Sequence, residues 1–333
     1  MRIVQLWQAK LERRVALVDE DRLRLLHRYR SAYELAQTAI REKKPLIAAV
    51  QDALSTESLD YDSIYEGRSE WSLAPAFDHP GGDGSCLISG TGLTHLASAK
   101  NRDSMHAEPK KMPLTDSMRM YQWGVEGGRP ADSSIGVQPE WFYKGNGSIL
   151  RGHGELLVVP AFADDGGEEG ELAGIYIIDH QGTPRRVGMA AGNEFSDHQM
   201  ERKNYLYLAP SKLRTCAIGP ELVLAPDFSS VSGAVRIERR GQTVWSKTLA
   251  SGEANMSHSL RNLEHHHFKY PAHRTPGDVH VHFFGAGAFS FGEGVALEDQ
   301  DVMEVSFEGF GRPLRNPIRI DRTPQPLVEV KTL

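Results

Sequence analysis

The stretch Gly166-Gly167-Glu168-Glu169-Gly170-Glu171-Leu172-Ala173-Gly174-Ile175-Tyr176-Ile177-Ile178-Asp179 places two carboxylates, Glu169 and Glu171, at the mouth of an apolar run. The run is rich in Ile and Tyr and bounded by Gly and Asp, which reads as a buried strand. Residues i and i+2 of a strand share one face, so both acids point the same way. A third carboxylate, Glu194, follows in Ala190-Ala191-Gly192-Asn193-Glu194-Phe195-Ser196-Asp197-His198. Three converging acids repel one another unless a cation sits between them. All-oxygen ligands suit Mg2+, Mn2+ or Ca2+ better than zinc. An E-x-E pair alone is more often a solvated strand face than a metal site, so the reading needs support from elsewhere in the chain.

The chain has 333 residues and a formal net charge of -6, enough length for one large or two ordinary domains with their own core. Mild acidity without a basic stripe argues against a nucleic-acid partner. No apolar stretch reaches the roughly 18 residues of a membrane helix, so no membrane partner is expected. The first residues, Met1 to Asp19, are broken by charges where a signal peptide would be apolar, and no targeting segment is expected. Cys86 and Cys216 are the only cysteines and lie far apart, which fits a reducing cytoplasm.

Two β-prone runs, Arg2–Trp7 and Arg14–Val18, read as a hairpin. From about Asp21 to Leu54 the apolar spacing (Leu23, Leu26, Tyr29, Tyr33, Leu35, Ile40) predicts helix, divided at Pro45, with Leu26, Tyr33 and Leu35 in the core. Residues 55–85 are rich in Ser, Asp, Pro and Gly and read as irregular connection. Beyond Pro139, short β-rich runs alternate with turn residues: 156–162, 171–179, 205–210, 222–228, 234–240, 279–288 and 302–310. The expected fold is α+β, mainly β: a small α/β N-terminal region at 1–85, then a larger β-rich domain at 86–333 that houses the carboxylates.

The order of motifs is more specific than any one of them. Pro139-Glu140-Trp141-Phe142-Tyr143-Lys144 precedes the glutamate strand, and Ser211-Lys212 with Gly219-Pro220 follows the Glu194 turn. Gly285-Ala286-Gly287 comes later, and Gly311-Arg312-Pro313-Leu314-Arg315-Asn316 closes the set. This order resembles the fumarylacetoacetate hydrolase superfamily over about residues 86–318. The resemblance implies a β-roll catalytic domain, a homodimer, and a divalent ion (Mg2+, with Mn2+ or Ca2+ as alternatives) held by Glu169, Glu171 and Glu194. It implies Lys212 as the lysine facing substrate, with Lys144 structural or pocket-lining. Ser196 lines the pocket or caps a turn. The family's T-G-T becomes Phe284-Gly285-Ala286, where the backbone amides of Gly285 and Ala286 are expected to meet a substrate carboxylate in place of the threonine.

The hydrolases of this family carry a histidine near the start of the domain that activates water. Here Gly92-Leu93-Thr94-His95 and Ser98 occupy that stretch, and Ser98 aligns with the histidine. Serine takes up no proton near pH 7, so the hydrolytic base is missing. These departures resemble the sugar-acid branch, which includes GguC-like proteins and 2-keto-3-deoxy-pentonate dehydratases. The implied substrate is a small 2-keto acid, and the implied reaction dehydrates a 2-keto-3-deoxy sugar acid such as 2-keto-3-deoxy-L-arabinonate to 2,5-dioxopentanoate. Lys212 is expected as base or enolate stabiliser, with a pKa lowered by burial beside a cation. Two other readings stand beside it: an acylpyruvate-type hydrolase or 2-keto acid decarboxylase, and a non-catalytic sugar-acid-binding or regulatory protein. The run His265-His266-His267 with His258, His280 and His282 invites zinc, but consecutive residues point in different directions. A role for one of them beside substrate is the better expectation.

Overall fold

A computed structural model describes residues 1–9, 11–97, 115–131 and 134–333. Strands β1 (Arg2–Gln8), β2 (Glu12–Asp19) and β3 (Arg22–Leu26) form an antiparallel meander, with β4 (Leu54–Asp60) on β3 and β5 (Trp71–Leu73) on β1. The expected first hairpin is therefore present, Ile3 facing Leu17 and Gln8 facing Glu12. The helical reading of 21–54 holds only from Ala32. Leu23 and Leu25 alternate with Arg22 and Arg24, a period of two, and pairing with β2 and β4 on either side settles that segment as strand. Helix Ala32–Arg41 begins at Ser31, whose hydroxyl accepts from the Glu34 amide, and a second helix, Leu46–Asp52, starts after Pro45.

Residues 55–85 are more regular than expected. Strand β4 is polar, yet it pairs with β3 as the edge strand of the sheet, and Asp60 caps a short helix, Tyr61–Tyr65. A helix spans Asp116–Gly127. The remaining strands are β6 (Cys86–Gly92), β7 (Glu140–Asn146), β8 (Leu150–Arg151), β9 (Leu157–Val159), β10 (Gly170–Ile178), β11 (Pro184–Asn193), β12 (Cys216–Ile218), β13 (Leu222–Val223), β14 (Val231–Arg239), β15 (Gln242–Ser251), β16 (Val279–Phe283), β17 (Val302–Phe307) and β18 (Leu314–Ile320). The run at 205–210 is a 3-10 turn and a short helix, not a strand. Leu206 is 84% exposed and Tyr207 50%, so no sheet face claims them, and the Asn204 side chain caps the turn at the Leu206 amide.

The main sheet runs β4-β3-β2-β1-β13-β11-β10-β16-β6-β7, and a second runs β15-β14-β17-β18-β9. Strand β1 joins β13, so one sheet crosses the expected boundary at 85/86. One face of β10 and β16 (Ala173, Ile175, Ile177, Val279, Val281, Phe283) packs with Leu35, Ala39 and Val50 of the N-terminal helices. The other face, through Leu172 and neighbours, packs with Val235, Leu249 and Val305 of the second sheet. Strand β10 is therefore buried along its full length, which explains its near-continuous apolar sequence. Among the described residues no helix is long and apolar enough to cross a membrane.

Candidate active site

Antiparallel pairing of β10 and β11 sets Gly170 opposite Asn193 and Glu171 opposite Gly192. The register carries one step further: the Glu194 amide donates to the Glu169 carbonyl at 3.0 Å. A hairpin thus closes the sequence gap between the first two acids and the third. The Asn193 side-chain oxygen accepts from the amides of Glu169 and Phe195, both at 3.2 Å, and holds the turn in which Phe195 takes a positive φ of 28°. Glu169, Glu171 and Glu194 are all buried, and each offers an oxygen within 4.8 Å of the others. Among the described residues this is the one group of three or more His, Cys, Asp or Glu side chains that converges in this way.

Lys212 follows the short helix Leu208–Ser211 and donates to Glu169 Oε1 at 2.6 Å and to Glu194 Oε2 at 2.8 Å. Its ammonium lies 4.9 Å from the centre of the Phe142 ring. Lys144, fully buried, donates to the carbonyls of Phe195 and Lys212 and lies 2.5 Å from Glu194 Oε1. Its position is that of a brace beneath the Glu194 turn. The Ser196 hydroxyl donates to Glu194 Oε2 at 2.9 Å, and Asp197 caps the helix His198–Lys203 while pairing with Arg214. The Gly285 amide donates to Glu171 Oε2 at 2.7 Å, a protein carboxylate rather than a substrate's, and Ala286 follows it at half-buried depth. Ser98 lies outside the described residues.

Charge balance explains the titration of the group. Burial alone raises Glu169, but Lys212 and His198 more than offset it, and its carboxyl falls well below the usual range. Burial, then repulsion from Glu169 and Glu194, pushes Glu171 well above it. Burial also raises Glu194, against the pull of Lys144 and Lys212. Lys212 departs from expectation. Burial acts to lower its pKa, yet Glu169 and Glu194 hold the proton and move it well above the usual value. Glu171 is thus the acid left without a cationic partner of its own. The donors already placed fall on Oε1 of Glu169 and Oε2 of Glu171, and none of them falls on the second oxygen of either. A buried, oxygen-only set with a surplus carboxylate fits a hard divalent cation, and Glu169, Glu171 and Glu194 are the residues that would hold it.

Sequence reasoning passed over two neighbours. His198 Nε2 lies 3.0 Å from Glu169 Oε1. Glu140 shares the inward face of β7 with Phe142 and Lys144, and Tyr205 donates to it at 2.8 Å. The alternation of Glu140, Phe142 and Lys144 on one strand face was the available signal. His95, beside the site, is fixed between Thr94 and Ser251, and burial lowers its pKa to about 4. His267, His273, His280 and His282 form a separate cluster. Trp141 Nε1 donates to His267 Nδ1, His267 Nε2 meets His280 Nδ1 at 3.0 Å, and His282 Nδ1 meets Ser89 at 2.9 Å. His280 and His282 are buried under the helix Leu260–Phe268 and not solvent-facing.

Solved structures identify the architecture. A 2-keto-3-deoxyarabinonate dehydratase aligns over 97% of this chain and 100% of its own, with a TM-score of 0.72 and 19% identity. This is the fumarylacetoacetate-hydrolase-type fold. A 2-keto-3-deoxy-D-arabinonate dehydratase complexed with magnesium and 2,5-dioxopentanoate shares it at a TM-score of 0.70 and 18% identity, over 97% of this chain and 100% of that one. So does the fumarylacetoacetate hydrolase of Exiguobacterium antarcticum, at 0.59 and 17%, over 96% and 100%. In sequence, the chain is 26% identical over 179 residues to a probable 2-keto-3-deoxyxylonate dehydratase of Haloferax volcanii, a match spanning 52% of this chain and 58% of that protein. No protein-family model matches the chain. The β-roll expected from the motif order is therefore the architecture present, and in this chain the β10–β11 hairpin carries the acids.

Proposed function

We propose that this chain is a divalent-metal-dependent hydro-lyase that dehydrates a 2-keto-3-deoxy sugar acid, a pentonate such as 2-keto-3-deoxy-L-arabinonate, to 2,5-dioxopentanoate. The observation that carries the reading is the buried triad Glu169, Glu171 and Glu194 sharing Lys212. The names of the dehydratases that share its fold and part of its sequence support the substrate class. When bound, Mg2+ would supply Lewis acidity, stabilising negative charge at the 2-keto oxygen as the C3 proton is lost.

The protein groups divide the proton work. Lys212, the buried amine beside Phe142 that bridges Glu169 and Glu194, is the candidate base for C3; an ion held by those two glutamates would weaken their grip on its proton. Glu140, on the same strand face and bonded to Tyr205, is the candidate to protonate the departing C4 hydroxyl, which leaves as water. Proton shifts along C3–C5 then turn the C5 alcohol into the aldehyde, so the net change is loss of one water. Burial of the lysine and carboxylates keeps bulk water away and favours elimination over hydrolysis. His95, held between Thr94 and Ser251, is no substitute for the hydrolytic base.

Purified protein with Mg2+ and 2-keto-3-deoxy-L-arabinonate is expected to form a semialdehyde that a coupled aldehyde dehydrogenase oxidises. Turnover of acylpyruvates or oxaloacetate instead would mark the hydrolase or decarboxylase reading. Thermal stabilisation by sugar acid without turnover at any divalent ion would mark a binding protein. A homodimer in a reducing cytoplasm belongs to the same proposal, and light scattering of the purified chain tests the dimer.

A further inference from the structure

The histidine that follows the Glu194 turn has a setting that packing alone does not explain. His198 is fully enclosed, with Nε2 3.0 Å from Glu169 Oε1, and Nδ1 is buried without a hydrogen-bond partner. An ionised carboxylate only accepts, so Nε2 carries a proton and donates it to Glu169. Phe289 stacks on the ring at 4.9 Å and 28°, and Phe291 lies at 5.4 Å on its border. Opposite Nδ1 stands Gly167, where a Cβ would collide with the ring. The chain therefore gives up a side chain at 167 and a hydrogen bond at Nδ1 to keep one N–H on one oxygen.

The segment after β16 reaches the acidic stretch 168–171 at two more points. The Gly285 amide holds Glu171 Oε2, and Ser290 holds Glu168 through its amide at 2.6 Å and its hydroxyl at 2.8 Å. Its far end is tied down by Trp245 and Lys247, both bonded to Glu293. Phe289, adjacent to Ser290, is thus held rigidly against His198. Lys212 and His198 both meet Glu169 Oε1, so both donors fall on one oxygen of that carboxylate and neither falls on Oε2.

We propose that His198, held by Phe289 and accommodated by Gly167, is the positioning residue of the metal centre: its Nε2–H orients Glu169 so that the second oxygen is presented to the ion. This inference rests on the metal reading above. It concerns ion affinity and needs no substrate.

The test is calorimetric titration of the full chain with Mg2+, and with Mn2+ as a second probe, in the absence of any sugar acid. Glutamine reproduces the position of Nε2 and asparagine that of Nδ1. His198→Ala and His198→Asn are expected to weaken Mg2+ binding by roughly 10–100-fold, the range for lost outer-shell partners, while His198→Gln recovers most of it. Added imidazole is expected to restore part of the affinity of His198→Ala. A glutamine variant as weak as the alanine one overturns the hydrogen-bond role, and an alanine variant that binds like the parent overturns the inference entirely. Should His198→Ala fail to fold in EDTA, Phe289→Leu replaces it: several-fold weaker Mg2+ binding supports the inference and unchanged binding overturns it. A parent protein that takes up neither Mg2+ nor Mn2+ overturns the metal reading itself, an outcome separate from failure of the variants alone.

Discussion

Glu171→Gln separates ion binding from fold stability, because the two should respond in opposite directions. Glu171 is fully buried with ligand oxygens of Glu169 and Glu194 within 4.8 Å. At an effective dielectric constant near 20, two like charges at that distance repel by about 3 kcal/mol. Lys212 offsets part of this, so a net cost of about 1–3 kcal/mol for an ionised Glu171 is a reasonable scale. Burial and the two neighbouring carboxylates raise its pKa above the unfolded value of 4.5. Its contribution to stability is therefore fully present below about pH 4.5 and is lost as pH rises through the folded pKa. Glutamine never ionises. In EDTA the variant should gain on the parent as pH is raised above 4.5, by about 1.5 °C in Tm per kcal/mol for a chain of this length. In Mg2+ the order reverses: the parent gains about 2.7 kcal/mol at an ion concentration of 100 Kd, and the variant loses most of that. Differential scanning calorimetry in the two buffers measures both effects. A variant with the parent's Mg2+-induced shift, or with no pH-dependent advantage in EDTA, would refute the assignment of Glu171 as the uncompensated ligand.

Lys144→Met removes a fully buried cation from beside Glu194 and two carbonyls, and should destabilise by about 3–5 kcal/mol in urea denaturation, since Glu194 Oε1 and both carbonyls lose their buried partner while Lys212 holds only the other carboxylate oxygen. Gly92 faces Glu140 so closely that a Cβ would collide with its carboxylate. Gly92→Ala should therefore cost about 100-fold in dehydratase kcat while calorimetric Mg2+ affinity stays within error, and a kcat equal to the parent's argues against proton transfer by Glu140. Burial lowers His280 and His282 to about 3 and His258 to about 4. Neutral in the fold and near 6.5 when unfolded, they stabilise above pH 6.5, and that stability is lost as pH falls toward 4. At pH 5 each costs about 2 kcal/mol. Tm should drop steeply between pH 6.5 and 4.5, and His280→Leu should flatten the slope by about one proton; a flat profile in the parent speaks against neutral burial of this cluster.

The features legible in the linear chain are those set by local periodicity and composition. The E-x-E spacing at Glu169 and Glu171, the apolar run behind it and the glycine turn before Glu194 each declare a strand, a face and an acid without reference to distant residues. The lysine at 212 and the order of motifs around it were legible for the same reason. Partnership and desolvation were not. Leu23 and Leu25 fit helix or strand until β2 and β4 supply hydrogen bonds on both sides, and 205–210 has strand-like residues but no sheet to join. Lys212 looks from sequence like a lysine of lowered pKa, whereas two carboxylates brought in from β10 and the end of β11 hold its proton. His198 acquires its purpose only when the hairpin sets it beside Glu169 and Phe289 arrives from another part of the fold. Side-chain periodicity belongs to a short segment and survives in one dimension; electrostatic energy depends on distance and burial, which exist only once the chain has closed on itself.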